Sequence, residues 1–245
     1  MSLQQSYPSI SQFVNGQAQL RGAVELIDQP LYDRTLYPTA GVAGALTFFG
    51  TAQGSGQSTE SGAAAGTTKG LVDTNMTQQG QLPSPQAFWV RDIQVLVDPG
   101  SVSTALLFAT QPPTFFNATA AATVQAGIND KNAILNSGVL ELSVGQKPYL
   151  QLGPLSQFPP QMRTRLDMAA GIAGTNAQPA AFGGAVLFSE GLGANPLRDL
   201  DPGVGIGTGV NFAVKLTWPG LIVTASGFNA RIAVHLGGWL IRSVQ

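Results

Sequence analysis

Alternation of apolar and polar residues with a period of two is the feature that most limits what this chain can fold into. Its clearest case is the run 210–218, in which every even-numbered residue is large and apolar. A strand with this pattern places one face on a core and the other face outward. Pro219 and Gly220 end the run. The pattern returns at 231–236, and Gly237 with Gly238 then predicts a bulge or bend.

Further strand signals are spread along the chain. Residues 93–97 alternate and stop at the turn 98–100, so 101–110 is predicted as the return strand. Residues 140–144 and 149–152 flank Gly145 and Gln146 and predict a hairpin. Weaker strand candidates are 23–27, 42–49, 163–168, 185–189 and 221–224.

Helix signals are few, and long loops are common. Residues 117–126 are Ala-rich with Asn117 as an N-cap, but β-branched residues lower the helix propensity, so we expect one short helix or a loop. The segment 50–70, rich in Gly, Ser, Ala and Thr, is expected to be mobile or shaped by a neighbour. The other predicted loops are 74–85, 169–179 and 191–209. Short strands joined by Gly/Pro turns predict an all-β sandwich of jelly-roll type, with at most one or two short helices.

The number of rolls is left open by the length. One jelly roll needs about eight strands and two tandem rolls about sixteen, whereas this chain predicts more than ten. We interpret 1–20 as an extended N-terminal arm and 21–115 as a first β-sandwich region. A connector with a short helix follows at 116–136, and a second β-sandwich region at 137–245. The alternative is a single elaborated jelly roll over 21–245.

Charged residues are scarce. The chain has 12 cationic and 13 anionic side chains, or 10% of its residues, against about 25% in ordinary soluble domains. A folded monomer of this size exposes about 10,000 Å², which leaves about one charge per 400 Å², near the patch size that favours association. We therefore expect much of the surface to contact other protein; the alternative is a monomer covered by Ser, Thr, Asn and Gln. A net charge of −1 without a basic arm argues against strong direct nucleic-acid binding.

Residues that carry common catalytic or metal chemistry are few. The single histidine, His235, lies on the polar side of a predicted strand, and no G-x-S-x-G turn presents a serine to it. We expect it to be a surface or interface imidazole. Without cysteine, thiolate zinc sites and disulfides are excluded. Asp199 and Asp201 favour a turn over a calcium site, so we predict no catalytic, cofactor-binding or metal-ligating residue and no enzyme activity.

Two other groups of residues are interpreted structurally. The alternating glycines at 203–209 lack the spacing of a dinucleotide site or a P-loop, which favours a loop or a close backbone approach. Trp89, Trp218 and Trp239 lie in or beside predicted strands, so we expect core or interface anchors rather than a sugar-stacking platform. The start of the chain lacks the pattern of a secretory signal, and no segment reaches the roughly 18 apolar residues that span a bilayer.

Three features carry a resemblance to a known family: the polar body with long loops, the pair 139–144 and 149–152, and the closing strand 231–241. In overall organisation the chain resembles the jelly-roll capsid (coat) proteins of tailless icosahedral bacteriophages, including the double-jelly-roll lineage. The resemblance implies a structural capsid subunit that is made in the host cytoplasm and resides in the virion. Its partners would be copies of itself, as a trimer or a higher assembly, other virion proteins, and an internal membrane where the shell covers one. No cofactor or small-molecule substrate is implied.

Three other functions fit an all-β chain. A secreted or surface carbohydrate-binding module or adhesin would need exposed aromatic residues on one face and would remain monomeric. A phage minor coat, tail or fibre protein would share this composition. A hydrolase would need His235 or a carboxylate pair in a cleft. The leading expectation is self-assembly through apolar, low-charge interfaces, with weak salt dependence of the assembled state.

Overall fold

The structure is a computed structural model, and it describes residues 10–17, 20, 23–60, 64–98, 118–158, 165–167, 187–189, 200 and 202–243. Within these residues lie two helices, eleven strands and a 3₁₀ turn at Leu155–Gln157. The helices are α1 (Ile10–Gly16) and α2 (Ala118–Ser137). The strands are β1 (Val24–Asp28), β2 (Leu31–Tyr37), β3 (Ala45–Phe48), β4 (Gln86–Asp98), β5 (Val139–Val144), β6 (Lys147–Pro154), β7 (Arg165–Asp167), β8 (Leu187–Ser189), β9 (Val204–Ile206), β10 (Phe212–Thr217) and β11 (Ala230–Ser243).

The described strands pair antiparallel and build two main sheets. In the first sheet, β1 and β2 share one edge of β11, whose other edge pairs with β4, and β9 follows β4. The second sheet has the order β3-β10-β5-β6. Strands β7 and β8 pair separately with each other. The protein is therefore an all-β sandwich of two antiparallel sheets with few helices.

The core follows directly from the period-two pattern. In β10, Phe212, Val214 and Leu216 are buried, whereas Lys215 and Thr217 are exposed. The strands β4, β5 and β11 supply 13 of the 28 buried residues of the main hydrophobic cluster. Burial of these apolar side chains is the largest favourable contribution to folding, at about 25 cal/mol per Å² removed from water.

The irregularity predicted at Gly237 and Gly238 is confirmed as a bulge. The pairing of β11 with β4 shifts register between these two glycines and skips Arg91 on β4. A Cβ on Gly238 would lie 1.9 Å from the carbonyl oxygen of Trp89, so only glycine allows this approach of the two strands. The skipped Arg91 places its guanidinium 4.8 Å from the ring centroid of Trp239, a cation–π contact.

Most predicted strands are confirmed. The runs 93–97, 140–144, 149–152 and 231–241 fall within β4, β5, β6 and β11, the run 210–218 contains β10, and β5 and β6 form the predicted hairpin. The weaker candidates 23–27, 42–49, 163–168 and 185–189 contain or overlap β1, β3, β7 and β8. The predicted return strand 101–110 and the predicted loop 169–179 lie outside the described residues.

One strand prediction is wrong, one predicted loop contains a strand, and one strand was not predicted. Residues 221–224 form no strand, because the backbone there is held by side chains and loop contacts; the Tyr37 hydroxyl donates to the Ile222 carbonyl at 2.7 Å. The predicted loop 191–209 contains β9, whose backbone pairs with β4 at the edge of the first sheet. Strand β2 was not predicted, because Asp33 occupies a core position and interrupts the apolar pattern.

Helix α2 is longer than the predicted short helix, spanning 20 residues at Ala118–Ser137. Nε1 of Trp218 donates a hydrogen bond of 3.0 Å to the carbonyl oxygen of Ile134, a buried residue of this helix. Asp130 of the same helix is also buried. These tertiary contacts outweigh the low helix propensity of the β-branched residues.

Residues 10–16 form helix α1, whereas the sequence predicted an extended arm over 1–20. The ring of Phe13 lies 5.3 Å from that of Trp89, centroid to centroid. Phe13 also packs against a small cluster that includes Ala87 and Ile241. A Cβ on Gly205 would come within 2.2 Å of the Phe13 ring, so this glycine makes room for it. Apolar burial of Phe13 thus holds the helix against its own chain.

Candidate assembly surface

The strand registers define two ends of the sandwich. Tyr37 lies opposite Ala230, and Ala45 lies opposite Thr217. Loops 38–44 and 218–229 therefore leave the strands at the same end, which we call the apolar end. The 49–85 loop and the turns 145–146 and 207–211 lie at the other end, which we call the polar end; the Gly80 carbonyl, for instance, accepts from the Phe212 amide at 2.8 Å.

Large apolar side chains are exposed at the apolar end. Leu221, Val223 and Phe228 are 57%, 59% and 48% exposed. The loop 218–229 that carries them contains no charged residue. An exposed apolar patch without charges is a surface that contact with another protein would stabilise.

Hydrogen bonds fix the backbone of this loop. The Thr224 amide donates to the Thr39 carbonyl at 3.0 Å, and the Thr224 hydroxyl donates to the Phe228 carbonyl at 3.0 Å. Asn229 Oδ1 in turn accepts from the Thr39 amide at 3.0 Å. Because the backbone is held at several points, the exposed side chains are presented in a fixed arrangement, which reduces the entropy lost on association.

Asp130 of α2 holds the middle of the same loop. Its side chain is buried, and the carboxylate accepts from the amides of Ala225 at 2.6 Å and Ser226 at 3.0 Å. Hydrogen bonds to an ionised carboxylate are stronger than neutral ones, and a buried carboxylate requires them. No local pattern predicts this contact, because its partners are about 95 residues apart.

The polar end buries a pair of opposite charges. Lys69 Nζ lies 2.7 Å from Asp33 Oδ1, and the two side chains are 6% and 1% exposed. Asp33 also accepts from the amide of Phe49 at 2.6 Å, which helps to hold Phe49 at a φ of +67°, a left-handed conformation that bulky residues rarely adopt. Burial raises the pKa of Asp33. The interactions with Lys69 and with the backbone amides of Phe49 and Arg34 offset this rise only in part.

A second buried carboxylate, Asp73, organises the 49–85 loop. It accepts from the Ser58 hydroxyl and the Thr59 amide, both at 2.8 Å, from the Thr59 hydroxyl, and from the Gly70 amide at 3.2 Å. Burial alone would raise the pKa of Asp73, but these hydrogen bonds outweigh it and lower the pKa below its ordinary value. The segment 50–70 was predicted to be mobile or shaped by a neighbour. Its described residues are instead held by contacts within the chain.

His235 lies on the outer face of the first sheet, as the alternation predicts. Its ring centroid is 5.8 Å from that of Tyr32. Burial lowers the pKa of His235, and the positive charge of Arg34 lowers it further. Its Nε2 is buried without a hydrogen-bond partner, so this nitrogen is not paired with a hydroxyl that it could activate.

The remaining candidate residues fall into structural roles where they are described. Trp89 and Trp218 are buried and Trp239 is partly buried, as expected for core anchors. A Cβ on Gly203 would lie 2.4 Å from Nε1 of Trp89, which confirms a close backbone approach. Asp199 and Asp201 lie outside the described residues. In the described part of the chain, no three His, Asp or Glu residues gather where they could hold a metal, and no helix has the length and apolar character to cross a membrane.

No protein-family model, curated protein or solved structure matches the chain in the three comparisons made with known proteins.

Proposed function

We propose that this protein is a structural subunit of an icosahedral virus or phage capsid and that it self-assembles through the apolar end. The observation that carries the proposal is the uncharged loop 218–229, which presents three large, exposed apolar side chains on a hydrogen-bonded backbone. Full burial of such a side chain contributes roughly 1.5–3 kcal/mol. In a closed symmetric assembly each such contact is repeated, so modest interfaces add up to a stable shell.

The strand order supports a jelly roll for this subunit. Strands β2, β3, β4, β5, β6, β9, β10 and β11 can be counted from first to eighth along the chain. The first then pairs with the eighth, the second with the seventh, the third with the sixth and the fourth with the fifth. This is the pairing of one long hairpin wrapped into two sheets, and it is the arrangement expected for the two Greek keys of a jelly roll.

The same strand order favours the single-roll alternative over 21–245. Both sheets take strands from the region 21–115 and from the region 137–245. Neither region therefore forms a two-sheet sandwich from its own described strands. We propose one elaborated roll, with the 49–85 loop and α2 as its main additions.

The exposed residues favour assembly over sugar binding. A carbohydrate-binding module needs several aromatic rings on one exposed face. Among the described large apolar residues that are exposed, Phe228 is the single aromatic one, and its exposed neighbours in the loop are the aliphatic Leu221 and Val223. An aliphatic patch suits a protein–protein contact better than a stacking platform.

The proposal is tested on the purified full chain by size-exclusion chromatography with light scattering and by negative-stain microscopy. We expect trimers or larger assemblies. The triple variant Leu221→Ser/Val223→Ser/Phe228→Ser should shift the protein to monomers while its circular dichroism stays unchanged. The matched control Leu71→Ser/Val72→Ser removes two side chains that are 67% and 50% exposed at the polar end, and it should still assemble.

Three results would contradict the proposal. The wild-type chain could remain monomeric at millimolar concentration, or the triple variant and the control could lose assembly equally. Assemblies that dissociate steeply as salt rises from about 0.1 to 1 M would show that charge pairs, rather than apolar contacts, hold the subunits together.

A further inference from the structure

Three basic side chains converge on the outer face of the first sheet. Arg231 and His235 lie two positions to either side of Ala233 on β11, and Arg34 lies directly opposite Ala233 on β2. Residues two apart on a strand share a face, and diagonal neighbours on adjacent strands are about 7–8 Å apart. We call Arg34, Arg231 and His235, grouped around Ala233, the basic cluster.

Four nitrogen atoms of the basic cluster are buried without a hydrogen-bond partner: Nε of Arg34, Nε and Nη2 of Arg231, and Nε2 of His235. Within the described part of the chain, these are all the buried side-chain nitrogen and oxygen atoms in that condition. Buried polar groups are nearly always hydrogen-bonded, and leaving a charged donor without an acceptor is especially costly. The cluster therefore has donors for which the described chain provides no acceptor.

The nearby carboxylates do not fill this role. Asp98 is opposite Arg231 on β4, yet neither Nε nor Nη2 of that arginine is bonded to it. Asp92 lies against Gly237 and accepts from the Gln94 amide group at 2.9 Å. Asp33, next to Arg34 in sequence, is buried with Lys69 on the core side.

We propose that the basic cluster binds a tetrahedral oxyanion of the sulfate or phosphate class above Ala233. Nε and Nη2 of Arg231 form one edge of the guanidinium, and such an edge donates two parallel hydrogen bonds to two oxygens of one anion. Nε of Arg34 and Nε2 of His235 add two further donors. Two permanent positive charges favour a dianion.

The site predicts that anion binding is linked to protonation of His235. The polar and charged groups that face this imidazole are Tyr32 and Arg34 on β2 and Gln94 and Asp92 on β4. Burial and Arg34 lower the pKa of His235, so it is neutral near pH 7 when the site is empty. A bound dianion favours the imidazolium. Sulfate affinity should therefore rise as the pH falls from about 8 to 5, a range in which sulfate keeps its own charge.

Isothermal titration calorimetry of the full chain with sulfate, at constant ionic strength set by chloride, tests the proposal. Arg231→Ala should weaken sulfate binding by about ten- to a hundredfold, because it removes two charge-assisted hydrogen bonds. Arg231→Lys keeps the charge and the apolar stem but not the two-donor edge, so it should also lose affinity and serves if the alanine variant fails to fold.

Arg242→Ala is the matched control. Arg242 is an arginine of the same strand, but its Nε already donates to Glu25 at 2.8 Å, so its removal should change sulfate affinity by less than about twofold. Equal losses in the Arg231 and Arg242 variants would indicate general charge attraction and overturn the site. Undetectable binding to the wild-type chain at about 50 mM sulfate would overturn it as well.

His235→Gln separates the role of the histidine from that of the arginines. This variant lacks the Nε2 donor, so it should bind sulfate more weakly than the wild type at pH 8, and it should also lose the further gain in affinity at pH 5. An unchanged pH profile would overturn the protonation linkage. The proposal does not depend on self-assembly, and light scattering in the same buffers reports the oligomeric state separately.

Discussion

The loops at the two ends of the sandwich differ in how they use charged residues. At the polar end, Asp33, Lys69 and Asp73 are charged residues buried beneath a long, mostly polar loop. At the apolar end, Leu221 and Val223 are exposed on a loop that has no charge. A chain with few charged side chains thus buries three of them at the polar end, whereas the exposed loop 218–229 at the apolar end carries none.

This difference separates residues that fold the subunit from residues that we expect to join subunits. Changes at the polar end should lower the free energy of unfolding and leave association intact. Changes to exposed residues of the apolar end should do the reverse. Four predictions test this separation, starting with the largest expected effect on stability.

Asp33→Ala should destabilise the protein by about 3–5 kcal/mol, because it leaves the buried ammonium of Lys69 without its partner. It also removes the acceptor of the Phe49 amide. Urea unfolding followed by circular dichroism measures the loss. Adding Lys69→Met in the same chain should restore part of the stability, since an apolar replacement of a whole buried pair costs little. A loss below about 1 kcal/mol in the single variant would show that this pair does not hold the loop.

Asp130→Ala should lower stability by about 1.5–3 kcal/mol, because it removes two charge-assisted hydrogen bonds at the apolar end. It should also speed hydrogen exchange at the Ala225 and Ser226 amides and weaken assembly by loosening the loop. Asp130→Asn retains one acceptor oxygen and should lie between wild type and Asp130→Ala. If Asp130→Ala assembled fully while its Ala225 and Ser226 amides exchanged fast, an ordered loop would not be required for association.

Asp73→Asn should cost about 1 kcal/mol at neutral pH and reduce the sensitivity to acid. The folded-state pKa of Asp73 is lowered, so its contribution to stability is present above its ordinary pKa of 3.8 and is lost as the pH falls below that value. Urea unfolding at a series of pH values from about 6 to 2 should therefore show the wild type and Asp73→Asn converging in acid. A constant difference would contradict this account.

Leu221→Ser with Val223→Ser should change the free energy of unfolding by less than about 0.5 kcal/mol, because both side chains are already exposed. The same variant should still lose association in light scattering. A stability loss above about 1.5 kcal/mol in the monomer would mean that these residues pack within the subunit, and the contrast between the two ends would fail.

Local patterns predicted the parts of the fold that depend on neighbouring residues. The alternation in 210–218 and 231–241 predicted β10 and β11, because a period of two is set by strand geometry alone. The bulge was predicted from a local feature too, the glycine pair Gly237 and Gly238 within the strand. Strand β2 was missed, because Asp33 looks out of place in a core until its partner, 36 residues away, is known.

The contacts that build the candidate sites depend on residues distant in sequence. The length of α2 is supported by Trp218, which is 84 residues from Ile134. The composition predicted a surface suited to association, but not which loop would present it. His235 was placed on the polar face of a strand, whereas its neighbour Arg34 could be found only through the strand register.

The central position of β11 has a consequence for biosynthesis. This strand pairs with β1, β2 and β4, so the first sheet lacks its central strand until residues 230–243 have been translated. They follow β1 by about 200 residues, or roughly 10–40 s of elongation at typical ribosome speeds. During that interval the nascent polypeptide carries open strand edges and an unfinished core, which is the period in which chaperone shielding would matter most.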